Sequence, residues 1–506
     1  MKRAFSAIFK SSILVFFGLS VKYLLGFASQ VAISRYLGPE DFGSIAASLT
    51  LVLFITSLLR MGLDNGIARF IPRYDDTADR SKVIWTGIII GMPLSAIVSV
   101  VLFGASQTIA TTFLQDEAAA KTIAVFSFLV IPFIIVQLSV AAARGMNQTI
   151  PKILMDDVLY PASKLCGFLT LIYIGGSMVD FSYVYVAGYL LSSIVGIYYL
   201  SKYLNRIEID TAISKKVLTF SIPIALSGVT YKILTDIDTI LLSYYSTTSG
   251  PVGIYNVVYP LASLLLIIPQ STGYLAMPTL SKLDSNEEKQ EFQQIYRLIV
   301  KWTAIVAIPV VSVFILFSEP IIAVIYGMEY TAGSLTLVIL TLGFFTHIIT
   351  GPNGDSLEAL GYSQFLFLSG VLVAVLNIFL NVLLIPSYST EGAAVATSLS
   401  YAFRNILIGT QIYRKSGILS IPRNITAVVS YSGICLGVLF WFSRHVVRLS
   451  DTVVTIPVLF AVTLGYLFTV GKTAIGSYER ELVQQALEKY NLDIPAIGQW
   501  LSNRDE

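Results

Sequence analysis

The sequence predicts an all-α polytopic membrane protein of about 14 transmembrane helices. They are expected to form two six-helix pseudo-symmetric halves around a central cavity, plus a C-terminal helix pair. Three observations carry that expectation. Hydrophobic residues make up 55% of the 506 and charged residues only 13%. A soluble chain carries about 25% charged residues, so there are too few polar groups here to clothe a water-facing surface. Apolar runs long enough for a bilayer helix, about 20 residues, recur along the chain. The chain also matches itself at an offset of 210 residues.

The runs fall at 11–33, 42–62, 83–104, 119–143, 153–175, 181–202, 217–242, 252–275, 296–318, 332–350, 362–385, 391–413, 424–443 and 451–470. Polar segments separate them, among them YLGPEDFG, IPRYDDTADRSK, SKLDSNEEKQEFQ, IYGMEYTAG and YRKSGILSIPRN. The basic opening MKRAFSAIFK is like the flank of a signal peptide. The apolar run behind it is longer than a signal core of roughly 7–15 residues and has no small-residue cleavage pattern, so it reads as a retained first span. Positive charge tests the count. With the N-terminus cytoplasmic, 25 of the 33 Lys and Arg fall on inside segments, and only Arg35, Lys121, Arg444 and Arg448 fall outside. One miscounted span would invert the pattern from that point on. It holds to the end, so both termini are expected in the cytoplasm and the protein in the cell membrane. The tail SYERELVQQALEKYNL places Leu482, Val483, Ala486, Leu487 and Tyr490 on one helix face, suited to the cytoplasmic membrane surface. The sequons NQT (147–149) and NIT (424–426) fall on the cytoplasmic side, away from glycosylation.

Four basic residues remain, Lys22, Lys164, Lys232 and Arg404, each near the middle of a span. A charge there costs roughly 2.5–3.5 kcal/mol on insertion scales. Snorkelling serves helix ends rather than middles. The repeat relates two of the four. SVKYLL (20–25) lies over TYKILT (230–235), which sets Lys22 on Lys232, and Gly43 in GPEDFGSIAASL falls on Gly253 in GPVGIYNVVYPL. Nearby offsets align AARGMNQ with EALGYSQ and VDFSYVYVAGYL with TEGAAVATSLSY. A six-span unit returns the chain to its starting side, so both copies insert alike. A pseudo-two-fold along the membrane normal follows, with the substrate path between the halves. The expected organisation is an N-terminal lobe at 1–210, a C-terminal lobe at 211–415, the appended pair at 416–475 and the amphipathic tail at 476–506.

The mid-membrane lysines have two readings. Each is a separate structural ion pair: Lys232 has Asp236 one turn away and Asp238 nearby, whereas Lys22 has no acid in its own span. Alternatively they form a shared cationic site with Arg404 and Lys164, suited to a phosphate or diphosphate. Asp64, Arg69 and Arg73 in MGLDNGIARFIPRY form either a cytoplasmic gate or a positive-inside anchor. Asp236 and Asp238 join Asp64 and Arg69 as gating or coupling candidates. Asp156 and Asp157 open span 5, as a solvated helix start or as a cation or proton site. Pro93, Pro132, Pro161, Pro223, Pro260, Pro269, Pro309 and Pro457 kink spans, for packing or for movement. The many tyrosines fit interfacial belts, with a minority free to stack on sugars.

Cys166 and Cys435 lie in apolar runs and read as small buried hydrophobes. His347 and His445 lack a second ligand at useful spacing, so no metal site and no cofactor are expected. There is no Walker A motif, nucleotide loop or catalytic triad, and no large extramembrane domain. The chain is not expected to hydrolyse ATP, the lack of a large outside domain argues against a membrane glycosyltransferase or O-antigen ligase, which stands third, and the chain is not expected to be an enzyme. A net charge of +2 gives no reason for a nucleic-acid partner.

RYLGPEDFGSIAASLTL after span 1, GPVGIYNVVYPLASLL after span 7 and EGAAVATSLSYAFRNILI in span 12 resemble the polysaccharide-export (Wzx-type) branch of the MOP, or MATE-like, flippase superfamily. The resemblance covers about residues 10–470. It implies flipping of a polyprenyl- or dolichyl-phosphate- or diphosphate-linked sugar or oligosaccharide, for surface polysaccharide or glycoprotein biosynthesis. It also implies alternating access and a possible coupling ion, H+ or Na+. The family's cationic cavity maps onto Lys22, Lys232 and Arg404. A MATE-type cation-coupled exporter is the alternative. MATE exporters often carry an acid in span 1, where this chain has Lys22.

Overall fold

The structure, a computed structural model, describes residues 2–60, 62–208, 210–270, 280–283, 288–417 and Tyr466. The expected spans at 424–443 and 451–470, Tyr466 aside, and the C-terminal tail lie outside the described residues, as do Cys435 and His445.

The main helices in chain order are α1 (Lys2–Leu59), α2 (Leu63–Phe70), α3 (Thr77–Gly104), α4 (Ala119–Ser127), α5 (Val130–Gly145), α6 (Thr149–Ile174), α7 (Met178–Ser201), α8 (Thr211–Tyr245), α9 (Gly250–Ser263), α10 (Lys289–Leu316), α11 (Ser318–Ile325), α12 (Ser334–Ile349), α13 (Asn353–Ala359) and α14 (Ser363–Ser416). No strand occurs among the described residues. Nine helical stretches there are long and apolar enough to cross a bilayer. The number is ten if α4 and α5, bent by 46° at their junction, count as one broken span.

Two helices are too long for one crossing. The 58 residues of α1 reach about 87 Å at 1.5 Å per residue, against a hydrocarbon core of about 30 Å. The helix breaks at Gly38, whose φ of 76° lies in the left-handed region that a side chain resists, and Pro39 follows. The 54 residues of α14 break at Ser389, φ 47°, three residues past Pro386. The apolar runs read at 11–33 and 42–62 flank the first break, and those at 362–385 and 391–413 flank the second.

The chain divides into two compact units. The first comprises Met1–Leu264, Phe317–Thr346 and Gly361–Ile408, and it holds every mid-membrane charge considered above. The second comprises the described residues of Leu265–Leu316, His347–Leu360 and Gly409–Glu506. Within this second unit Tyr296 of α10 donates to the Thr350 carbonyl at 2.7 Å and also contacts Asn353 of α13.

In the first unit α2 is the centre of an apolar core. Leu63, Ile67 and Phe70 pack with Val83 and Ile84 of α3, Ile134 and Leu138 of α5 and Val217 of α8. The reverse side of α3 exposes Ile97, Val100 and Phe103, Val100 at 72%. Apolar exposure on this scale suits lipid rather than water. α1 packs extensively against α9. A Cβ added at Gly43 would fall inside the Ser249 carbonyl oxygen and 2.9 Å from Gly253 N; one at Gly253 would fall inside the Pro39 carbonyl oxygen and 3.1 Å from Gly43 N. Only glycine permits backbones to meet this closely. The Gly250 N–H also donates to Glu40 Oε2 at 2.8 Å. At the offset of 210, Gly43 corresponds to Gly253 and Pro39 to Ser249, so the two contacts exchange with one another.

Candidate functional site

The site begins on α6. Pro161 has no N–H to give the Asp157 carbonyl, and the residues before it, Ile153–Leu159, wind as a π-helical turn. The turn carries Asp156 and Asp157 and packs on α1 at Gly18, where a Cβ would lie 2.9 Å from Asp157 Oδ2 and 3.0 Å from Ile153. One turn further along α1, Lys22 extends its Nζ to Asp156 Oδ2 at 2.6 Å and lies 3.8 Å from Asp157 Oδ1. Lys152 holds Asp157 Oδ2. The acid missing from span 1 is thus supplied by α6, and two lysines face two carboxylates. Asp157 is fully buried. The solvated helix start read from the sequence is corrected: this segment is packed against α1, because Lys22 and Lys152 neutralise it there.

Lys232 pairs with Asp236 one turn along its own helix α8. The two repeat-matched lysines therefore both meet a carboxylate, one across helices and one within a helix. Asp238 does not join them. It is buried, and it accepts from Tyr255 Oη of α9 at 2.6 Å, from Asn381 Nδ2 of α14 at 2.6 Å, and from the Thr397 hydroxyl. Asn381 Nδ2 also lies 3.2 Å from Asn377 Oδ1, and Asn377 Nδ2 and Asn381 Oδ1 are buried without a hydrogen-bond partner. Asp238 is thus a buried carboxylate satisfied by an amide and two hydroxyls, with two further amide atoms close by that make no hydrogen bond.

Lys164 is enclosed by rings, its Nζ 5.5 Å from the centre of Tyr160 and 5.3 Å from that of Tyr185, with Tyr160 stacked on Tyr189 at 3.9 Å. Arg404 is half-buried on α14 and forms no ion pair among the described residues. Asp64 is met by Arg60 at 3.4 Å, and Arg60 also reaches Gln137 at 3.4 Å, around a small recess lined by Leu63, Gly91 and Leu138. The Arg69 guanidinium lies 3.9 Å from the centre of Phe220 on α8, and Arg73 lies over Phe70. Cys166 is exposed, which corrects the buried reading. Among the described residues no three His, Cys, Asp or Glu side chains converge as metal ligands.

Sequence reasoning missed the partners Lys152, Tyr255, Asn377, Asn381 and Thr397. One signal was present: Asn377 and Asn381 stand four apart within an apolar run, so they share a helix face.

Ion pairs and a buried carboxylate on long apolar helices joined by repeat-matched glycines are the features of a polytopic membrane protein. Two solved structures share the fold. A lipid II flippase MurJ in an inward closed conformation covers 92% of this chain and 100% of that one at TM-score 0.73 and 17% identity. An inward-facing multidrug resistance MATE family transporter of the MOP superfamily covers 81% and 98% at TM-score 0.68 and 15% identity. The sequence profile for Polysaccharide biosynthesis protein matches residues 8–284, and that for Lipid II flippase MurJ matches 165–461. The chain belongs to the polysaccharide biosynthesis protein family. A curated relative, the "Probable low-salt glycan biosynthesis flippase Agl15" of Haloferax volcanii, is 29% identical over 160 residues, 32% of this chain. That match spans about a third of the relative's length, 34%.

Proposed function

We propose that this chain flips a polyprenyl- or dolichyl-phosphate- or diphosphate-linked sugar or oligosaccharide from the cytoplasmic to the outer leaflet of the cell membrane. It does so by alternating access, for surface polysaccharide or glycoprotein biosynthesis. The observation that carries this reading is the placement of Lys22 and Lys232. They occupy matching positions of the internal repeat, and both side chains are part-exposed, at 36% and 29%. Paired cations at mid-membrane depth suit a desolvated phosphate. Arg404 and Lys164 extend the cationic lining.

The 14-span count, lobes at 1–210 and 211–415, the pair at 416–475, the tail at 476–506 and cytoplasmic termini belong to the same reading. The breaks at Gly38 and Ser389 and the exchangeable contacts of Gly43 and Gly253 support it. Asp64 and Arg69 serve the cytoplasmic gate. Asp236 and Asp238 serve coupling to H+ or Na+. The alternative is a MATE-type exporter, a class that often carries an acid on span 1, where Lys22 stands.

The test uses proteoliposomes with a fluorescent polyprenyl-diphosphate-linked sugar and a quencher outside. Lys22→Ala leaves Asp156, and Lys232→Ala leaves Asp236, without its cation, so flux is compared at equal protein level in the membrane, and there it collapses. Wild-type flux in either variant refutes the cationic site. Export of organic cations with no flipping of the lipid supports the MATE-type exporter.

A further inference from the structure

The two carboxylates beside Lys22 are not alike. Asp157 is fully buried, its Oδ2 is held by Lys152, and its Oδ1 accepts no hydrogen bond although Lys22 Nζ lies 3.8 Å away. The bare backbone of α1 at Gly18 presses against it. Asp156 is 18% exposed and has the shorter contact, 2.6 Å. Lys22 is the most exposed of the four charged groups. One acid is therefore buried and held by Lys152, while the other acid and the cation between them each keep part of their surface exposed.

From this asymmetry we infer that Asp156 occupies Lys22 in place of the substrate's phosphate when the protein is empty. The arriving phosphate takes Lys22 and displaces Asp156, and the return of Asp156 expels the phosphate. This rests on the lipid-linked phosphate reading of the site. A phosphate oxygen offers the ammonium the same charge-assisted hydrogen bond as a carboxylate oxygen. The trade needs little energy because one charge-assisted bond to Lys22 replaces another and Lys22 is never left without an anion. Lysine suits it: its ammonium is a compact charge on a flexible stem with rotatable donors, whereas arginine would clamp the carboxylate with a planar fork. Lys232 differs, because its partner Asp236 rides on the same helix. Of these two lysine pairs it is the one at Lys22 that ties two helices, so the trade unfastens α1 from the part-exposed acid of α6 while Asp157 stays held by Lys152. Asp156 is a release residue that acts through Lys22.

The test uses the full chain in nanodiscs, with geranylgeranyl diphosphate as probe and geranylgeraniol and inorganic pyrophosphate as controls. Asp156→Asn lowers the Kd for geranylgeranyl diphosphate about two- to five-fold, the worth of a part-exposed pair, chiefly by slowing dissociation. In a Lys22→Ala background the same substitution changes nothing. A second readout needs no variant: on wild-type protein, carbodiimide labelling of Asp156 quickens when geranylgeranyl diphosphate binds, while Asp157 stays unlabelled. Binding that is no tighter in Asp156→Asn, equal tightening without Lys22, or unchanged labelling of Asp156 each overturns the exchange while leaving the flippase reading intact. Equal binding of geranylgeraniol and its diphosphate overturns both. Equal effects from inorganic pyrophosphate make the ligand a soluble phosphate and overturn the lipid-linked form of the inference.

Discussion

Gly43→Ala tests the contact on which the pairing of α1 and α9 depends. The new methyl carbon would lie 2.9 Å from Gly253 N and nearer still to the Ser249 carbonyl oxygen. Ordinary non-bonded separations are about 3.5–4.0 Å. Both neighbours are backbone, so no side chain can turn aside. The helices must part by at least about 0.6 Å at the nitrogen, and by more at the oxygen. Overpacking of this kind costs about 1–3 kcal/mol. At 1.4 kcal/mol per factor of ten, 2 kcal/mol shifts a closed-to-open equilibrium about 30-fold. The Gly250 N–H···Glu40 bond, 2.8 Å long, stretches in the same movement. Gly253→Ala forces the same separation from the other side, so the double variant costs less than the two singles together. The assay is maleimide labelling of Ser249→Cys in a background where Cys166 and Cys435 are serine. Ser249 is 5% exposed, so labelling is slow until the seam opens, and Gly43→Ala quickens it severalfold. An unchanged labelling rate together with an unchanged melting temperature refutes the reasoning.

Arg69→Ala removes a cation–π contact worth about 0.5–2 kcal/mol between the α2 segment and Phe220 of α8. It should lower flux more than Arg80→Ala; equal, mild effects leave only an anchoring role. Asp238→Asn keeps the shape of the buried cluster and removes its charge. The protein should melt at the same or a higher temperature and lose the dependence of flux on a Na+ or H+ gradient; an intact gradient dependence removes Asp238 from coupling.

The helices were legible because a bilayer demands one thing of a sequence, a long apolar run, and the runs are plain. Where the structure merges two runs into one helix, the break still falls where Gly38-Pro39 and the segment after Pro386 advertised it. The Gly43–Gly253 contact was half legible: the repeat named both residues as equivalent, but not that each lies against the other. Of the site, the cations were visible because charge is conspicuous in an apolar run, and the Lys232–Asp236 pair follows from helical spacing. The Lys22–Asp156 pair was hidden, since it joins residues 134 apart and depends on the turn that Pro161 imposes. The partners of Asp238 were hidden for the same reason, because Tyr255, Asn381 and Thr397 reach it from α9 and α14.

The pairing of α1 with α6 also sets a schedule for biogenesis. α6 is the least apolar of the nine crossing stretches among the described residues, and the two aspartates near its start are costly to bury unpaired in a membrane protein. Lys152 offsets one of them within the same helix, and Lys22 offsets the other. At about 5–20 residues per second, the ribosome takes roughly 7–27 s to make the 134 residues from Lys22 to Asp156. Through that interval Lys22 sits in the membrane without its carboxylate. The Lys22–Asp156 contact can close only once both helices are in the membrane, which makes it one of the later fastenings of the first unit to form.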